Sequence, residues 1–122
     1  MKINCGTDII EIERVKKAIE NMGDKFLETI FTEQEIEYCE ARKAQKYQHY
    51  AARFAAKEAA FKAVGERMEK DKLSWKSFEV TKSENGKPCI KIDQKIKDLE
   101  SIDISISHCK QYATANVTAI FK

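Results

Sequence analysis

Polar and apolar positions change period several times along the chain, and the changes mark its elements. Residues 3–7 are short and partly apolar and read as a strand. Over 11–22, Ile12, Val15 and Ile19 recur at helical spacing, Asp8 with Glu11 fits an N-cap pattern, and Gly23 stands as the stop. Residues 26–31 read as an apolar connector. Thr32-Glu33-Gln34-Glu35 is a capping box, so a second helix is expected through Ile36 and Cys39 to about Ala41. The longest helical signal covers 45–64, with Gly65 as its expected stop. A charged loop over 66–72 follows. Residues 75–82 alternate as a strand, Asn85-Gly86 signals a hairpin turn, and 88–92 return as a second strand with Pro88 at its start. A short helical turn is expected over 94–99. Ile102, Ile104 and Ile106 then alternate with polar residues, as do Ala113, Ala115, Val117, Ala119 and Phe121, giving two last strands joined around 108–112. A strand, then helices, then antiparallel strands indicates an α+β fold.

Composition adds limits. At 122 residues the chain suits a single domain spanning 1–122. With 43% apolar and 34% charged residues, one proline and four glycines, it falls among folded, soluble chains. Lys and Arg number 22 against 20 Asp and Glu, a net charge of +2 that is too small to mark a nucleic-acid binder. No signal peptide and no membrane span is seen. Cys5, Cys39, Cys89 and Cys109 show no C-x-x-C spacing, so free thiols in a cytoplasmic protein are expected.

The helix predicted over 45–64 carries the chemistry. Tyr50, Phe54 and Phe61 fall on one stripe, and Ala52, Ala56, Ala59, Ala60 and Ala63 fill most of the opposite side. A helix apolar nearly all round is buried or closely packed. Yet it bears Arg53, Lys57, Glu58 and Lys62, with Glu58 about 60° from the centre of the aromatic stripe. One account is local: Glu58 and Lys62 pair at i,i+4 on the surface. The other is that Glu58 holds a divalent metal while the three basic residues hold phosphates, since Mg²⁺ takes one or two carboxylates plus substrate phosphates. Asp8 is a candidate second carboxylate, with an N-cap role as its alternative. Glu11, Glu13 and the acidic residues near Glu33 are others that spacing does not exclude.

Four segments occur together in order: Gly6-Thr7-Asp8-Ile9-Ile10-Glu11-Ile12, Arg53-Phe54-Ala55-Ala56-Lys57-Glu58-Ala59, Asn85-Gly86-Lys87-Pro88, and Ser105-Ile106-Ser107-His108 with Tyr112-Ala113. In these the chain resembles the holo-acyl-carrier-protein synthase family, the small bacterial 4'-phosphopantetheinyl transferases. The resemblance implies an α+β subunit that assembles as a homotrimer with active sites between subunits. It implies transfer of 4'-phosphopantetheine from coenzyme A to a serine of acyl carrier protein, with Mg²⁺ between carboxylates and pyrophosphate and adenosine 3',5'-bisphosphate leaving. On this resemblance Asp8 and Glu58 are the metal ligands and Lys62 faces the pyrophosphate. Arg53, Lys57 and His108 fall among coenzyme A contacts, as do Asn85, Gly86, Lys87 and Pro88. The serine proton goes to Glu58 or to a metal-bound water oriented by Asp8.

The carrier protein is acidic, and the resemblance places Arg14, Lys25 and Phe26 at its docking surface, with Thr29 where a second basic residue is often found. Two other classes stand beside the enzyme. One is a nucleic-acid module using Arg42, Lys43, Lys46, Arg53 and Lys57, against which the balanced charge argues. The other is an inactive module of the same fold that binds the carrier protein. Retention of Asp8, Glu58 and Lys62 argues against that.

Overall fold

The computed structural model describes residues 1–122. The order is β1 (Lys2–Glu11), α1 (Ile12–Met22), α2 (Asp24–Ile30), α3 (Glu33–Glu40), α4 (Lys46–Val64), β2 (Phe78–Lys82), β3 (Pro88–Ile92), β4 (Leu99–His108) and β5 (Tyr112–Phe121). The α+β expectation holds. Strands β1, β5 and β4 form one antiparallel sheet with β5 central, and β2 and β3 form a separate hairpin.

Helix α4 lies across the sheet. Its small side chains make that possible: Ala56, Ala59, Ala60 and Ala63 are fully buried against Ala115, Val117, Ala119 and Phe121. On the same side of β1, Gly6 faces the backbone of Ala59 and Ala63, and the Asn4 amide donates to the Ala63 carbonyl at 3.2 Å. Around the first half of α4, Tyr50, Ala51 and Ala52 pack with Val15, Ile19, Leu27 and Phe31 from the shorter helices. The other face of the sheet is covered by nothing. Ile3 and Ile9 stand 56% and 66% exposed there, beside Cys5, Thr7, Asn116 and Tyr112. No helix is long and apolar enough to cross a membrane.

Several expected boundaries move, each for a physical reason. Strand β1 runs on to Glu11 because its pairing with β5 continues to Glu11–Tyr112, and Glu11, not Asp8, stands at the N-cap position of α1, with no capping bond from its side chain. Residues 26–31 are not a connector: Leu27 and Ile30, three apart, are buried on one side of helix α2. Gly65 does follow the last residue of α4, as expected, but not in a left-handed turn. Its φ is −58°, and the chain tightens into a 3₁₀ turn over Gly65–Arg67. The charged loop holds a further 3₁₀ turn, Lys70–Lys72. Trp75 belongs to a third, Trp75–Ser77, capped by Ser74, and its ring stacks on Phe54 at 4.9 Å, so β2 starts only at Phe78. Residues 94–99 form no helix; Asp98 turns the chain at φ 66°. The capping box at Thr32 and the hairpin turn, with Gly86 at φ 85°, are as expected.

Candidate active site

Strand β1 and the second half of α4 bring Asp8, Glu58 and Lys62 together. Asp8 points from the α4 side of β1, two residues beyond Gly6. Lys62 Nζ reaches back to Asp8 Oδ1 at 3.4 Å and to the Thr7 carbonyl at 2.9 Å. Lys62 therefore bridges to β1 and makes no ion pair with Glu58 along its own helix. Glu58 is half-buried, and its carboxyl is held above the ordinary range by burial and then by the Asp8 carboxylate, with Lys62 pulling the other way. Two carboxylates that repel each other beside one half-exposed ammonium form a site short of positive charge. No cluster of three or more metal-ligating side chains exists, so a cation held here needs oxygens from a substrate or from water.

Glu58 stands where two hollows meet. One, of about 410 Å³, is shared by Asp8, Glu58, Arg14, Val15, Phe26 and Phe54. It brings two expected docking residues, Arg14 and Phe26, to the carboxylates. Phe26 also stacks on Phe54 at 6.5 Å. Lys25 lies exposed on α2 outside the lining. The other hollow is a groove of about 300 Å³ running from Glu58 past Phe61 and Leu73 to Ser74, Trp75 and Phe78.

A second centre of charge lies elsewhere on α4. The Tyr38 ring is flanked by the guanidinium groups of Arg42 at 3.6 Å and Arg53 at 4.0 Å, with Lys82 Nζ at 4.9 Å. The His49 ring lies 5.6 Å from Tyr38 and 6.0 Å from His108. None of these cations has a carboxylate partner, and the buried Arg53 Nε has no hydrogen-bond acceptor. Burial first, and then Arg53, Arg42, His108 and Lys82, hold His49 down to about 4. Such a group of cations lacks only an anion. The resemblance implies coenzyme A contacts for both Arg53 and His108, and both lie near His49, whose ring is 6.0 Å from that of His108. The share of Tyr38, His49 and Lys82 was missed. His49 lies i,i+4 from Arg53 on one helix face, which was a legible signal; Tyr38 and Lys82 come from other elements and gave none.

One expectation changes. Lys57 holds no phosphate: it is buried and ion-paired to Glu35 at 2.7 Å, with both side chains at 0% exposure. Asn85, Gly86, Lys87 and Pro88 sit on the β2–β3 hairpin, where Lys87 pairs with Asp103, and they line neither of the two hollows that meet at Glu58.

Paired carboxylates with a lysine, and a separate group of cations without carboxylate partners, are the two centres of charge that α4 organises. Residues 4–117 match the 4'-phosphopantetheinyl transferase superfamily, and the chain belongs to that family. It is 50% identical over 121 residues to a holo-[acyl-carrier-protein] synthase of Ruminiclostridium cellulolyticum, covering 94% of this chain and 90% of that one. The fold matches a crystal structure of a holo-(acyl-carrier-protein) synthase from Bacillus anthracis in complex with CoA (3',5'-ADP), with a TM-score of 0.78 and 37% identity over 95% of this chain and 94% of that one. It also matches the Helicobacter pylori synthase in complex with coenzyme A, with a TM-score of 0.81 and 32% identity over 95% and 99%.

Proposed function

We propose that this chain is a 4'-phosphopantetheinyl transferase that moves 4'-phosphopantetheine from coenzyme A to a serine hydroxyl of apo acyl carrier protein. The observation that carries this reading is the position of Glu58, beside Asp8 and Lys62 at the junction of two hollows. The apolar groove suits the pantetheine arm. The hollow bearing Arg14 and Phe26 suits the carrier protein and its serine. The serine oxygen attacks the β-phosphorus and gives its proton to Glu58 or to a water oriented by Asp8, the bond to the bridging oxygen breaks, and adenosine 3',5'-bisphosphate departs with that oxygen. Asp8 and Glu58 are the residues that would hold Mg²⁺, which would there neutralise pyrophosphate charge. Lys62 adds positive charge for the leaving phosphate. Mass spectrometry of apo acyl carrier protein incubated with this protein, coenzyme A and Mg²⁺ tests the reading. A carrier protein whose mass does not change would sink it.

The cation cluster around Tyr38 suits the phosphates of the nucleotide half, with the hairpin residues Asn85, Gly86, Lys87 and Pro88 as further contacts. On α4, Arg53 and Glu58 point about 140° apart. One coenzyme A molecule that meets both kinds of group is therefore best served by two subunits. The uncovered sheet face, with Ile3 and Ile9 exposed, supports such an assembly, and a homotrimer of single-domain subunits is the proposed form. The proposed compartment is the cytoplasm, in keeping with four cysteines that form no disulfide.

Two measurements separate the residue roles. Lys62 is 51% exposed, so Lys62→Ala should leave the melting temperature nearly unchanged. Its turnover should fall roughly 10²–10³-fold, as for loss of one charge-stabilising contact in a transition state. Lys62→Arg should recover part of it, because the charge remains while reach and hydrogen-bond geometry change. Full activity in a folded Lys62→Ala protein would return the residue to a structural role. Arg14→Glu should weaken carrier-protein binding far more than coenzyme A binding, by setting like charge against an acidic surface, and the difference should shrink as salt rises. Equal losses for the two substrates would place Arg14 outside the docking surface.

A further inference from the structure

Lys57 stands immediately before Glu58, and its ammonium is fully engaged inside the protein. It pairs with Glu35 Oε1 at 2.7 Å, donates to the Trp75 carbonyl at 3.2 Å, and donates to the Phe78 carbonyl. That uses all three of its protons. Glu35 also accepts the backbone N–H of Thr32 at 2.9 Å and of Val80 at 2.8 Å. One buried pair thus joins the start of α3, the middle of α4 and the segment 75–80.

Stability alone is a poor account of this arrangement. Two charges taken out of water lose much of what their attraction returns, and apolar residues of similar volume often serve a core as well or better. What an apolar pair does not supply is a fixed anchor for two carbonyls. Trp75 and Phe78, which own those carbonyls, form with Ser74 one wall of the groove, and Glu58 and Phe61 belong to the same groove. The wall is therefore tethered to the residue next to Glu58.

We propose that the Lys57–Glu35 pair is a positioning element for the reaction, holding the Ser74–Trp75–Phe78 wall at a set distance from Glu58 so that the pantetheine arm delivers its phosphate to the carboxylates. This rests on the transferase reading given above. Lys57 also lines the groove, but its ammonium is turned inward onto Glu35 and the two carbonyls, so both residues act through the wall.

The test compares two ligands that differ by the pantetheine arm together with the phosphate that joins it. Coenzyme A carries both, and adenosine 3',5'-bisphosphate carries neither. Transfer and coenzyme A binding by the unaltered protein check the underlying reading separately. The variant is Glu35→Leu with Lys57→Met, which leaves neither charge stranded. It should stay folded, bind adenosine 3',5'-bisphosphate as the unaltered protein does, and bind coenzyme A more weakly. Its kcat should fall about 10²-fold, the scale expected when a reacting group is misplaced by about 1 Å. A folded double variant with unchanged coenzyme A affinity and kcat would overturn the proposal. So would equal weakening of both ligands, which is the mark of general loosening. If the double variant loses its fold, Lys57→Arg makes the same comparison. It keeps the charge but alters the geometry toward the two carbonyls, so the same split between the ligands is expected, and its absence overturns the proposal.

Discussion

Glu58→Gln and Asp8→Asn should each remove nearly all transfer from a protein that remains folded. The amides keep the shape of the side chains and discard the charge on which a divalent ion depends. Loss of one electrostatic contact in a transition state typically costs roughly 10²–10³ in rate, and loss of the ion removes several contacts together. The effect on stability should run the other way for Glu58. Its carboxyl is held above the ordinary range, so the folded state prefers it protonated. As pH rises through the unfolded value toward the raised folded one, the folded state loses stability relative to the unfolded chain. The penalty is complete once pH stands above the raised folded value, and Glu58→Gln removes whatever part of it acts at the working pH. The melting temperature at pH 7 should therefore match or exceed that of the unaltered protein while activity disappears. Calorimetric titration of Mg²⁺ in the presence of coenzyme A should show the ion's binding lost together with turnover. Near-normal turnover by either variant in the presence of a chelator would remove both residues from the metal site.

How far sequence reached depended on how local each feature was. The alternation in β4 and β5, the capping box at Thr32 and the Asn85-Gly86 turn are contained in a few neighbouring residues, and they appear as expected. The seven-residue helix α2 was hidden because its two buried residues give too short a pattern to set against a loop. Asp8 looked like a helix cap because a carboxylate before a helical pattern has that appearance; only the partner strand β5 shows that β1 continues past it. Lys57 marks the same limit more sharply. Its place on the helix beside Arg53 and Lys62 suggested phosphates, and nothing near it in sequence pointed to Glu35, 22 positions earlier by residue number. The cation cluster draws on α3, α4, β2 and β4, with Arg42 just past the end of α3, so helical spacing revealed only its His49–Arg53 pair.

Gly6→Ala should be the most damaging glycine-to-alanine change in this chain. A Cβ at residue 6 would lie 1.9 Å from the Ala59 carbonyl oxygen, 2.9 Å from its carbon and 3.0 Å from the Ala63 nitrogen. All three atoms are backbone, so no rotamer change relieves the clash, and β1 or α4 has to move. Overpacking a close contact costs typically 1–3 kcal/mol, and a backbone-on-backbone clash belongs at or beyond the upper end, about 3 kcal/mol. That corresponds to a fall of about 10 °C in melting temperature for a domain of this size. The same movement reaches the site. Ala59 adjoins Glu58, Ala63 adjoins Lys62, and Asp8 lies two residues along β1, so separating strand from helix separates the carboxylates and the lysine. Activity should consequently fall further than the loss of folded protein explains, when rates are normalised to the folded fraction at low temperature. Gly65→Ala is the control. There the Cβ would meet only the Phe61 ring, at 2.9 Å, on a side chain 48% exposed and free to turn, and the backbone at φ −58° suits alanine. That variant should melt within a few degrees of the unaltered protein, since alanine also lowers the entropy of the unfolded chain. If the two variants melted alike, the tight seat of β1 on α4 would not be what requires glycine at position 6.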